Sequence, residues 1–159
     1  MKKYILWLSV CLAALIGGGC ASPSGERTTK IYNESTDGSK LIASGLARAK
    51  KENKRVLLQF GANWSQGCHR LHTLLTSDPE LAQEVQKEYV WLLIDRGEGR
   101  NAEVNEQYEN PTRLGYPALV VLDATGKQVV AAGTDEFEER GEQDPKKLLI
   151  FLQRWGPTK

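Results

Sequence analysis

The run Val56-Leu57-Leu58-Gln59-Phe60 lacks the apolar–polar alternation of a strand with one wet face. Four of its five side chains are apolar and point by turns to opposite faces, so both faces need cover. Such a strand belongs in the middle of a sheet, with a layer of other elements on each side. The flanking sequence supplies those layers. Ile42, Leu46 and Ala49 recur at helical spacing over residues 41–51, with Asp37 or Ser39 as candidate caps. After Ser65, which sits where an N-cap should be, Cys68, Leu71 and Leu75 form the buried stripe of a second helix.

Further along, Ser77-Asp78-Pro79-Glu80 places proline at a first helical position, and the helix it starts runs to about Glu88. Residues 89–94 read as a strand. Gly97-Glu98-Gly99 breaks the chain, Asn101 can cap a short helix through Tyr108, and Asn110-Pro111 closes it. Residues 118–122 and 128–132 are two strands joined by Asp123-Ala124-Thr125-Gly126-Lys127, a hairpin-length turn, and should pair antiparallel. Asp144-Pro145 opens a last helix with the stripe Leu148, Phe151, Leu152 and Trp155. The acidic stretch Asp135-Glu136-Phe137-Glu138-Glu139 reads as a solvated loop between the last strand and the last helix. This order predicts an α/β fold: a mixed central sheet with helices on both faces. At 159 residues and 40% apolar content the chain suits one domain, and no internal repeat or heptad run appears in it.

The N-terminus has the form of a targeting segment. Met1-Lys2-Lys3 is basic, residues 4–16 are apolar, and Gly17-Gly18-Gly19-Cys20 follows. As a helix the apolar stretch spans roughly 20 Å against roughly 30 Å of hydrocarbon, which argues against a permanent span. The small residues ending at Cys20 resemble a bacterial lipobox, although Gly17 stands where leucine is usual. The resemblance implies removal of residues 1–19, acylation of Cys20, and a lipid-anchored, periplasm-facing protein, with Ala21 favouring outer-membrane sorting. Cleavage after Ala21, at Gly19-Cys20-Ala21, is the alternative and would release a soluble periplasmic protein. Residues 21–30 are rich in turn formers, so 20–35 is expected to be a lipidated tether and 36–159 the domain. Taking Lys2 and Lys3 from the 21 basic residues leaves 19 against 20 acidic ones, a balance that does not suggest nucleic acid as a partner.

The segment from Val56 to Cys68, through Trp64 and Ser65, resembles the active-site region of the thioredoxin superfamily, where an apolar strand leads into Trp-Cys-x-x-Cys at a helix start. Gly115-Tyr116-Pro117, followed by a hairpin and a final helix, resembles that family's cis-proline segment. The resemblance spans about residues 40–156. It implies a thioredoxin-like fold, a cis bond before Pro117, and a peptide-binding surface formed by Trp64, Tyr116 and Pro117. The departure from the family pattern is Ser65, which occupies the place of the first cysteine, while Cys68 keeps the second. Serine cannot form a mixed disulfide and is a weak nucleophile without an adjacent base, but it can cap a helix. Gln59, too, is a neutral amide where many thioredoxins carry a buried acid.

Cys68 has two readings. On the stripe with Leu71 and Leu75 it is a small buried hydrophobe; if accessible, it is a lone reactive thiol serving an enzyme or sensor. Burial should dominate, since the helix dipole is worth at most about 1 kcal/mol here and full burial several times that. His72 lies four residues after Cys68, so the two share a helix face, but two ligands are too few for a metal site. Ser65 and His69 are also four apart, without a Gly-x-Ser-x-Gly elbow for a hydrolase. Ser65-Gln66-Gly67-Cys68-His69 falls one cysteine short of a haem attachment signal. Trp64 either joins Tyr116 in an exposed contact surface or covers the strand end. The sequons at Asn33 and Asn63 are set aside, because a lipobox points to bacteria. No cofactor is expected, and the expected partner is a protein or peptide of the cell envelope.

Overall fold

In the computed structural model, residues 29–157 are described. The expected signal segment, Cys20 and the start of the expected tether lie outside the described residues. The chain runs through α1 (Gly38–Glu52), β1 (Arg55–Gly61), α2 (Gln66–Ser77), α3 (Pro79–Glu88), β2 (Tyr89–Asp95) and α4 (Ala102–Gln107). It continues through β3 (Ala118–Leu122), β4 (Gln128–Ala132), α5 (Thr134–Phe137), β5 (Glu138–Glu139), β6 (Glu142–Gln143) and α6 (Pro145–Trp155). Four strands form a sheet in the order β2-β1-β3-β4. The β1–β2 pair is parallel, Val56 opposite Val90, whereas β1–β3 and β3–β4 are antiparallel. Residues 56–60 are therefore flanked by a strand on each side, as the unbroken apolar run requires.

Alternate residues of β1 feed two separate cores. Val56, Leu58 and Phe60 pack with Ile42 and Ala49 of α1, with Val104 of α4, and with Val120 and Leu122 of β3. Leu57 packs on the opposite face with Leu71 and Leu75 of α2, Leu81 of α3, and Leu148 and Leu152 of α6. Gln59 shares that second face but is polar and fully buried, which singles it out before any chemistry is considered. Helices α1, α3 and α6 start on aspartate caps. Asp37 accepts from Lys40 N, Asp78 from Glu80 N and Leu81 N, and Asp144 from Lys146 N and Lys147 N. Asn101 occupies the N-cap position of α4 without capping it. Its carboxamide instead joins the end of β2 to the start of α1, giving Nδ2 to Asp95 O and taking the Gly38 N–H on Oδ1.

Two expectations are corrected. Residues 135–139 are not a solvated loop: residues 134–137 make one helical turn, Phe137 is fully buried, and Glu138–Glu139 pairs antiparallel with Glu142–Gln143. One phenylalanine outweighs the charges around it, because those charges face water while the ring packs edge-on against Phe151 at 6.1 Å. The second correction concerns residues 31–35, expected to belong to the tether, which instead pack on the domain. Tyr32 is 2% exposed.

Candidate functional site

The site gathers where β1 ends and α2 begins, beside the turn into β3. Ser65 is the N-cap of α2 in extended backbone; its Oγ accepts from Cys68 N at 3.4 Å and donates to the Tyr116 carbonyl at 3.4 Å. That hydroxyl thus has both a donor and an acceptor, and it joins the helix start to the 116–117 segment. The Tyr116–Pro117 bond is cis. Gly67 is where α2 comes nearest this segment: a Cβ there would stand 3.0 Å from the Tyr116 carbonyl oxygen and 3.3 Å from Pro117 Cδ. The Gly67 carbonyl in turn accepts from Gln143 Nε2 at 2.9 Å, so the β5–β6 hairpin buttresses the first turn of α2.

Trp64 projects outward, 68% exposed, with its ring centroid 5.3 Å from that of Tyr116 at an interplanar angle of 33°. The exposed Trp64 ring thus lies against the half-buried ring of Tyr116. Trp64, Tyr116, Pro117 and Ser65 are therefore brought together.

Cys68 points the other way and is 0% exposed. Its surroundings are not purely apolar. Tyr32 Oη and Cys68 Sγ occupy the space beside Gly61, so close that a Cβ on Gly61 would collide with both. The Tyr32 hydroxyl accepts from Gln59 Nε2 at 2.8 Å, and the same amide approaches the Cys68 carbonyl at 3.4 Å. Gln59 Oε1, also buried, has no partner among the described residues. Burial, followed by the nearby Cys68 sulfur, pushes the Tyr32 phenol far above its ordinary value, so it remains a neutral O–H.

The histidines engage elsewhere. His69 Nε2 meets the Asn63 carbonyl at 2.7 Å, a contact that turns this nitrogen away from a role as base to Ser65. His72 stacks against Trp91, ring centroids 5.2 Å apart, while Cys68 on the same helix face is enclosed. Among the described residues no three His, Cys, Asp or Glu side chains gather as a metal-ligand group. Partial burial, and then the charge of His69, hold His72 below the ordinary imidazole value of about 6.5. The unfolded chain therefore takes up the proton more readily than the folded one, and this contribution to stability is whole above about pH 6.5 and falls as pH drops below it. His72→Gln is expected to flatten the acid limb of a stability–pH profile measured by urea unfolding; an unchanged slope would count against the assignment.

Three residues of the site escaped the sequence: Tyr32, Asn63 and Gln143. Asn63 Oδ1 accepts from Ile31 N at 3.0 Å and Tyr32 N at 2.9 Å, while its Nδ2 donates to Tyr32 O at 2.9 Å and Glu34 Oε1 at 3.0 Å. A single carboxamide thus binds the N-terminal strap as a neighbouring strand would. The pair Ile31-Tyr32, alone in a polar stretch, is the signal that could have shown it.

A thioredoxin-like family model matches residues 39–124, more than half of the chain. The chain belongs to the thioredoxin-like family. Among solved structures, this thioredoxin-like domain is similar to a disulphide isomerase from Xylella fastidiosa Temecula1. The TM-score is 0.71 and the identity 28%, over 79% of this chain and 96% of that one. The C-terminal domain of Neisseria meningitidis DsbD in its oxidised form gives a TM-score of 0.56 at 18% identity, covering 76% of this chain and 97% of that one. A thioredoxin from Thermus thermophilus gives 0.53 at 19%, covering 70% and 81%. These last two bear on the fold alone. A search of curated protein sequences returns no match.

Proposed function

We propose that this thioredoxin-like domain is an accessory binding module in envelope thiol-redox processes, one that holds an extended protein or peptide segment and does not turn over disulfides. The observation carrying this reading is the engagement of Ser65 Oγ by backbone on both sides, at the position where the family's nucleophilic sulfur would stand. The exposed Trp64, paired with the half-buried Tyr116 beside Pro117, offers an aromatic anchor next to backbone that an extended chain can meet. The likeness to a disulphide isomerase supports placing the module among thiol-redox proteins. The leader ending at Cys20 supports export and lipid anchoring on the periplasmic side. No described helix is long and apolar enough to cross a membrane.

The test uses a thiol-free unfolded polypeptide, reduced and carboxymethylated, as the ligand. Wild type and Cys68→Ala are expected to bind it equally. Trp64→Ala is expected to weaken binding at least about tenfold, as removal of an exposed aromatic anchor does. In an insulin reduction assay, wild type should add nothing to the dithiothreitol background. Binding that disappears in Cys68→Ala would overturn the reading. A second reading, a monothiol enzyme or sensor, draws support from the polar groups beside Cys68 Sγ. It requires rapid modification of the sulfur near neutral pH.

A further inference from the structure

The thiol of Cys68 is covered by an element outside the sheet and its helices. Residues 30–35 contribute no strand to the sheet, and their only buried side chain is Tyr32. Tyr32 appears in neither of the two apolar cores; its hydroxyl end fills the gap left by the absent side chain of Gly61, directly against Cys68 Sγ. What holds the strap down is the buried Tyr32 ring together with polar contacts at its rim. The Asn63 carboxamide makes four hydrogen bonds to it, and Glu34 adds an ion pair to Arg100 at 4.0 Å. A part-exposed pair of that kind is weak. The space beneath is built for polar contacts. Gln59, fully buried, spends its Nε2 on Tyr32 Oη and the Cys68 carbonyl and leaves Oε1 unpartnered. Should Tyr32 leave, Gln59 would present a donor and an acceptor to whatever small polar molecule replaced the phenol beside the sulfur.

We propose that residues 30–35 form a releasable cover over Cys68, so that small thiol-reactive molecules reach the sulfur by local release of the strap and not by unfolding of the domain. The two routes differ in the surface they expose: lifting six residues uncovers little, whereas global unfolding uncovers nearly everything and is therefore steeply accelerated by urea. The proposal stands apart from the peptide-binding reading, because its measurement is access to the sulfur and its failure leaves the Trp64 surface untouched.

The test is alkylation of the full chain by iodoacetamide at fixed pH, followed by mass spectrometry of the peptide carrying Cys68, across urea concentrations below the unfolding transition. In wild type the rate is expected to be slow and nearly independent of urea. Asn63→Ala, which removes the four carboxamide bonds, is expected to raise it at least about tenfold while keeping the flat urea dependence. Tyr32→Ala should do the same, and Tyr32→Phe, which keeps the ring in place, should stay within about threefold of wild type. A wild-type rate that climbs with urea along the global unfolding slope would overturn the proposal. So would variants whose rates rise only in proportion to their measured loss of global stability, or do not rise at all.

Discussion

Ser65→Cys is expected to turn over insulin roughly a hundredfold or more faster than wild type. The geometry is already set for it. Position 65 lies one turn before Cys68 at the N-terminus of a twelve-residue helix, where the helix dipole favours a thiolate. The Tyr116 carbonyl, which accepts from Ser65 Oγ in wild type, is adjacent. The variant should also behave differently in its two redox states. Reduced, it loses a good hydroxyl cap and should be less stable by about 1 kcal/mol. Oxidised, it gains a short covalent loop and should recover that loss. Activity should still fall short of an efficient oxidoreductase, because Gln59 cannot exchange a proton with the buried sulfur as a carboxyl could. Urea unfolding of both forms, with insulin turbidity as the activity readout, checks each part. Equal turnover by wild type and Ser65→Cys would show that Cys68 acts alone and that the missing cysteine is not what silences the site.

What was legible in the sequence is what local chemistry controls. The unbroken run at residues 56–60 announces a strand with neighbours on both sides, and β1 has β2 and β3. Asp78-Pro79 and Asp144-Pro145 announce helix starts, because proline at a first turn forfeits no hydrogen bond and aspartate supplies one. The stripe Cys68, Leu71, Leu75 gives the buried face of α2 directly. What stayed hidden depends on partners distant in the chain. Cys68 reads as a plain hydrophobe until Tyr32, 36 positions earlier, is placed against it. Asn63 reads as part of a sequon, yet its carboxamide is used to bind backbone 31 and 32 residues away. Asn101 looks like a cap and is a bridge instead, since Asp95 O and Gly38 N offer it better partners than its own helix. Residues 135–139 depart from the expected solvated loop for a related reason. Counting charges says where most side chains point, but one buried aromatic decides where the backbone goes.

That aromatic carries the second large expectation: Phe137→Ala should cost about 3–5 kcal/mol, a substantial share of the roughly 5–15 kcal/mol that holds a domain of this size together. The ring is fully buried among Leu148, Phe151 and Leu152 of α6, so its removal leaves a cavity that a one-turn helix at the sheet edge cannot fill. The loss should also reach the site. Phe137 O accepts from Asp144 N at 2.7 Å, the Glu138 carbonyl holds Lys147 Nζ at 2.9 Å, and Gln143 braces Gly67 from the same hairpin. A hairpin that loosens at its base releases the first turn of α2, and with it the spacing between Ser65 Oγ and the Tyr116 carbonyl. Phe137→Ala is therefore expected to weaken binding at Trp64 under conditions where the protein is still folded, whereas Phe137→Leu should keep most of both. Glu139→Ala supplies the contrast. Among the described residues the Glu139 side chain makes only an exposed ion pair, to Lys147 at 3.7 Å, and its loss should change stability by about 0.5 kcal/mol or less. Calorimetric melting of the three variants separates the ring from the charge: a Phe137→Ala domain as stable as Glu139→Ala would mean that the segment packs too loosely to support the helix start.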